Sequence, residues 1–135
     1  MKIVLDTNSL IQSVPRQSRY HIVWDSLMKG EHVLCVSNDI LEEYLEILQR
    51  LTDYETAELI VKTIVNSPFV ELITPYYHFQ MIQADPDDNK FVDCAIAAGA
   101  RYVVTNDHHF DILHQTPFPY VDVITLAEFA GKFIH

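Results

Sequence analysis

Lys2-Ile3-Val4-Leu5-Asp6-Thr7-Asn8 is a short apolar run that ends on an aspartate and a polar turn, and Arg101-Tyr102-Val103-Val104-Thr105-Asn106-Asp107 repeats the arrangement late in the chain. Neither run alternates apolar with polar residues, so each reads as a strand buried on both faces, as strands of a parallel sheet are. Three further runs have the same character: His32 to Val36, Phe69 to Thr74 and Tyr120 to Ile124. Helical spacing separates them. From about Ser18 to Lys29, His21, Trp24, Leu27 and Met28 share a face, and Gly30 is a natural stop. Ser37-Asn38-Asp39 caps a helix reaching Leu51, and Thr52-Asp53 opens another that ends near Asn66, before Pro68. Asp85-Pro86 begins a helix that runs to about Ala98, with Gly99 after it. His108 to Leu113 reads as a short helix and Leu126 to Phe133 as a terminal one; the ambiguous Pro75 to Gln83 stretch also reads as a short helix. Strand–helix alternation of this kind predicts an α/β fold, a doubly wound, Rossmann-like parallel β-sheet flanked by helices on both faces. Sites in such sheets form beyond the carboxyl ends of the strands.

The 135 residues suit one domain, spanning 1–135, and 49 % apolar and 11 % aromatic residues are enough for an ordinary core. Cys35 and Cys94 sit in apolar stretches and read as buried reduced thiols. No apolar run reaches the roughly 18 residues of a membrane helix, and the first residues lack the form of a signal peptide. A cytoplasmic protein with no membrane association is the expectation. The net charge of −10, with only nine Lys and Arg, argues against non-specific capture of nucleic acid by the surface. It favours a basic protein partner, a second copy of the chain in a homodimer, or cations held in a site.

Acidic residues stand where the site should be. Asp6 and Asp107 directly follow two strands. In the helix from Asp39, the residues Ile40, Leu41, Tyr44, Leu45, Ile47, Leu48 and Leu51 form one apolar arc. At about 100° per residue, Glu43 falls about 40° from Ile47, at the margin of that arc, while Glu42 and Glu46 face solvent. Asp88 lies at the start of its helix and near the middle of the face carrying Phe91, Val92, Ala95 and Ile96. A carboxylate can also sit at a helix N-terminus simply to complement the dipole. On the same wheel Asp93 is about 140° from Asp88 and reads as exposed. Asn8, Thr105 and Asp111 are placed to orient the four carboxylates from behind.

Four converging carboxylates repel one another and raise each other's pKa. A divalent cation removes the conflict, and an all-oxygen set suits Mg²⁺ or Mn²⁺. Such an ion polarises a phosphoryl oxygen and activates water for phosphodiester hydrolysis. His108 and His109 read as loop histidines, because no zinc spacing of His or Cys accompanies them. Other doubly wound chemistries fit less well. A phosphoacceptor domain needs a Lys after its last strand, where Ile124-Thr125 has none, and an aspartate-nucleophile phosphatase needs a second Asp where Asn8 stands.

Val4-Leu5-Asp6-Thr7-Asn8, Ser37 through Leu48 with its Glu-Glu-Tyr step, Asp85-Pro86-Asp87-Asp88-Asn89 and Val103-Val104-Thr105-Asn106-Asp107 together resemble a PIN domain, in order and at fitting spacings. The likeness is to VapC-like toxin components of prokaryotic toxin–antitoxin systems. It implies a metal-dependent ribonuclease acting on single-stranded RNA and restrained by an antitoxin, with Asp6, Glu43, Asp88 and Asp107 as the metal-binding and catalytic residues. The strong negative charge departs from what substrate grip requires. That departure keeps a rival in play: a catalytically weak PIN-fold module that docks a basic partner.

Overall fold

The computed structural model describes residues 1–134. Five parallel strands form one sheet in the order β3-β2-β1-β4-β5: β1 (Lys2–Leu5), β2 (Val33–Val36), β3 (Glu71–Leu72), β4 (Tyr102–Val104) and β5 (Val123–Ile124). Ile3 pairs with Leu34 on one side and with Tyr102 on the other, so β1 is the central strand. The chain steps outward from β1 through β2 to β3, then returns past β1 to β4 and β5. Right-handed crossovers in opposite directions put the connecting helices on opposite faces. The first set is α1 (Thr7–Ser13), α2 (His21–Met28), α3 (Asn38–Leu51) and α4 (Tyr54–Asn66); α5 (Asn89–Ala98) packs against β1, β2 and β4, and α6 (Leu126–Phe133) follows β5. The doubly wound α/β sheet anticipated from the strand–helix alternation is the fold observed.

The core follows from the apolar strands. Ile3, Val4, Leu5, Leu34, Cys35, Val103 and Val104 are fully buried. Burial also pushes the Cys35 thiol up to about 11 and Cys94 up to about 12, so both free cysteines are neutral packing groups. Tyr44 of α3 is buried among them, and its hydroxyl donates to the carbonyl of Leu5 at 2.6 Å, which ties α3 to the end of β1. Gly30 carries φ +80° after α2, and a Cβ there would lie 2.6 Å from the Phe69 ring. Both the left-handed turn and the close approach require glycine.

Four local expectations differ from the structure. Asp6-Thr7-Asn8 is not merely a polar turn, because Asp6 caps α1 and its carboxylate accepts from Ser9 N at 2.8 Å. The strands expected over 69–74 and 120–124 shrink to two residues each, since both lie at sheet edges and have a neighbour on one side only. No helix forms over 75–83. That segment instead draws its hydrogen bonds from side chains of α5: Asp93 accepts from Phe79 N at 3.0 Å, and the Asn89 amide accepts from Ile82 N at 2.8 Å and donates to Ile82 O at 2.9 Å. Asp93 is accordingly 4 % exposed rather than solvent-facing. The helical wheel reads it as exposed because the wheel takes no account of the strap of residues 75–83, whose Phe79 N–H donates to its carboxylate.

Asp93 should therefore be structurally sensitive. Asp93→Ala orphans the Phe79 N–H and is expected to cost about 1–3 kcal/mol. Chemical denaturation measures the loss, and limited proteolysis should find new cleavage confined to the strap.

Candidate active site

The carboxyl ends of β1 and β4, neighbours at the point where the strand order reverses, hold Asp6 and Asp107. Asp6 is 6 % exposed. Its two oxygens are fixed separately: one accepts from Ser9 N, the other from the Thr105 hydroxyl. Burial raises its pKa above the ordinary carboxylate value despite those hydrogen bonds, and the charge of Asp107 adds to the rise. Thr105 also accepts from the backbone N–H of Asp107 at 3.0 Å, so one hydroxyl joins the two strand ends. Asp107 in turn accepts from His109 N at 2.8 Å as it caps the 3₁₀ helix over His108–Gln115.

Asp88 enters from the opposite side. Asp85 caps a single 3₁₀ turn, Pro86–Asp88, by accepting from Asp87 N at 3.2 Å, and Pro86 supplies the preset φ of a first helical residue. This turn delivers Asp88 to the start of α5 with its side chain 16 % exposed. Its Oδ2 is buried and has no hydrogen-bond partner. Burial, followed by the charges of Asp85 and Asp107, pushes the Asp88 carboxyl up to about 7. An orphaned oxygen on an acid surrounded by other acids is what a divalent-cation site looks like to the protein alone. The donors are hard oxygens with one imidazole nearby, so the set fits a divalent metal ion.

The other expected residues are distributed unequally. Glu43 points inward while Glu42 and Glu46 are exposed. Its carboxylate is engaged, however, by the Thr7 hydroxyl and by Lys90 Nζ at 2.9 Å. Asn8 is exposed. Asp111 is turned outward, paired with His108 at 3.2 Å, the two side chains being 62 % and 95 % exposed. His109 is not a bystander: its ring nitrogen faces Asp107, Asp88 and Asp85 at 3.5, 3.8 and 4.0 Å. Donor atoms of Asp85, Asp88 and His109 all lie within 4.8 Å of one another. Asp85 and His109 went unrecognised in the sequence because one looked like a cap and the other like loop; only the cap signal was legible, and it was correct as far as it went. Lys90, too, was missed.

A cleft of about 940 Å³ runs alongside these acids, lined by Asn38, Asp39, Asp87 and Lys90 and by His78 and Gln80 of the strap. Asp6, Asp88 and Asp107 stand outside its lining, so it flanks the acidic centre and gives an extended ligand room beside it.

The raised acids make stability depend on pH in a definite direction. Asp88 binds its proton more tightly in the folded chain, up to about 7, than at the ordinary value of 3.8. Its stabilising contribution in the metal-free protein is therefore complete below the lower value and lost as pH rises through the higher one. Asp88→Asn should flatten that decline and raise the melting temperature of the metal-free protein at neutral pH by about 3–6 °C. Calorimetry of both proteins across the window, in chelator, measures it; a larger decline in the variant would contradict the assignment.

The sequence and the fold have counterparts among known proteins. Residues 2–109 match the model of a PIN domain family. No curated protein sequence matches at a significant level. Among solved structures, a chain of VapBC2 from Rickettsia felis, bound to a DNA fragment from its promoter, superposes with a TM-score of 0.64 at 15 % identity, covering 93 % of this chain and 98 % of that one. A chain of DNA-bound VapBC from Salmonella typhimurium gives 0.64 at 21 % identity, with coverage of 93 % and 98 %. The PIN domain endonuclease Utp24 gives 0.55 at 16 % identity, with coverage of 92 % and 84 %. At these identities the likeness speaks for the fold, while the family match covers most of the chain; the chain belongs to the PIN domain family.

Proposed function

We propose that the protein is a divalent-metal-dependent endoribonuclease that hydrolyses RNA phosphodiester bonds, and that it is the toxin component of a toxin–antitoxin pair in the cytoplasm. The observation that carries the proposal is the buried, unpartnered Asp88 Oδ2 set among Asp6, Asp85 and Asp107 at the switch point of a PIN domain. Asp6, Asp88 and Asp107 would hold Mg²⁺ or Mn²⁺, with Glu43 as the fourth acid. The ion, when bound, polarises a phosphoryl oxygen and lowers the pKa of an attacking water.

The remaining work falls to the chain. Ser9 and Thr105 hold Asp6 in one orientation, so no reorganisation is needed when substrate arrives. Lys90 places a fixed positive charge beside Glu43, which lessens the repulsion a phosphate meets in an acidic surround. The flanking cleft gives a single strand space to continue past the cut. A basic antitoxin segment is the expected protein partner; the fold likeness to VapBC complexes and the charge of −10 support it, as they support a dimer of the chain.

A second reading rests on the same charge and on the Lys90–Glu43 pair, which leaves Glu43 occupied: a catalytically weak PIN-fold module that docks a basic protein. Cleavage assays separate the two. Purified protein should cut RNA with Mn²⁺ or Mg²⁺ and stop in EDTA, and Asp88→Asn should abolish cutting, a drop of at least about a hundredfold. Cation binding should also raise the melting temperature, since a ligand at a hundredfold excess over its Kd stabilises by about 2.7 kcal/mol. Wild-type cleavage rates in Asp88→Asn would remove Asp88 from the site. Absence of any cleavage, together with tight capture of a basic protein, would favour the docking module.

A further inference from the structure

We propose that His109 is a nitrogen donor of the divalent-cation site, beside Asp88 and Asp85, and that it shifts the site's preference from Mg²⁺ towards first-row transition cations such as Mn²⁺ and Co²⁺. The inference deepens the metal-dependent reading above and rests on it. His109 Nδ1 faces three carboxylate oxygens, at 3.5 Å from Asp107, 3.8 Å from Asp88 and 4.0 Å from Asp85. All three gaps exceed a good hydrogen bond, which ends near about 3.2 Å for N–H···O. They are well suited to an ion. With bonds of about 2.1 Å, adjacent donors lie about 3 Å apart and opposite donors about 4.2 Å apart, and the observed separations fall between the two.

A second, independent observation points the same way. The Asp88 oxygen that faces this nitrogen, Oδ2, is the buried atom left without a partner. If the imidazole were present only to satisfy that oxygen, it would sit about 1 Å closer. The residue is also held in place from behind, because its backbone N–H donates to Asp107 Oδ1 at 2.8 Å. Its side chain is 47 % exposed, leaving one side open for the waters that such ions retain. His108, next in sequence, turns outward to Asp111. A neutral imidazole is a borderline donor that favours transition cations, whereas Mg²⁺ prefers oxygen alone.

The test uses the whole protein and reads binding rather than cutting. Mg²⁺, Mn²⁺ and Co²⁺ are titrated into wild type, His109→Ala and the control His108→Ala by calorimetry, and pulsed EPR of the Mn²⁺ complex looks for ¹⁴N modulation. Wild type and His108→Ala should bind in the order Mg²⁺ < Mn²⁺ < Co²⁺ and show the nitrogen signal. His109→Ala should lose the signal and bind Mn²⁺ and Co²⁺ at least about tenfold more weakly, the scale set by losing even an outer partner of a ligand. Its Mg²⁺ affinity should change far less. If His109 only balances charge, the opposite follows: removing it frees the carboxylates, all three cations bind more tightly, and the proposal is overturned. Retention of the nitrogen signal in His109→Ala would overturn it equally. Failure of wild type to bind any of the three cations would instead sink the metal-dependent reading itself, and this inference with it.

Discussion

Withdrawing carboxylates from water at the edge formed by the carboxyl ends of the strands is the constraint on which the rest of this structure depends. Each acid at that edge has a different answer to it. Asp6 is satisfied by Ser9 and Thr105, Glu43 by Lys90 and Thr7, and Asp107 by the backbone of His109. Asp88 alone retains a buried oxygen with nothing to bond to, and burial together with the charges of Asp85 and Asp107 raises its carboxyl. A buried oxygen left without a partner, beside acids that each have one, marks where something external belongs.

The fold exists to hold that edge. The doubly wound order brings β1 and β4 together, and with them Asp6 and Asp107. Thr105 locks the two strand ends into one unit, its hydroxyl donating to the Asp6 carboxylate and accepting from the backbone N–H of Asp107. Tyr44 ties α3 to the carbonyl of Leu5, the residue before Asp6, so that Glu43, adjacent on the same helix, is carried to the same place. From the other face, α5 starts directly after Asp88 and anchors the strap through Asn89 and Asp93. The same short helix thus serves the acidic centre at its start and the wall of the flanking cleft along its side.

Charge explains the uneven look of the site. A chain at −10 cannot rely on its surface to attract a polyanion, and the fixed cation in contact with the acidic edge, Lys90, is paired with Glu43. Affinity for a phosphate backbone must then be generated locally, at the edge, by cations drawn to the acids. The outward-facing pair of His108 and Asp111 shows the contrast: well exposed, it is screened by solvent and contributes little.

Much of the architecture was legible in the sequence because it is encoded locally. Unbroken apolar runs such as Ile3-Val4-Leu5 and Val103-Val104 define strands buried on both faces, and the residues directly after them must emerge at the same end of a parallel sheet. Helical period likewise turned Glu43 inward and Glu42 outward, as the structure has them. What periodicity reports is direction relative to a residue's own helix, and it says nothing of what a distant segment lays across that direction. Asp93 falls on the wheel far from Asp88, yet it is buried, because a strap with no helical structure of its own takes its hydrogen bonds from α5. For the same reason His109 could be placed in a loop but not beside Asp85 and Asp88, and Lys90 could be placed on a helix but not against Glu43. Those contacts join residues from separate elements, and only the closed tertiary structure brings them within reach of one another.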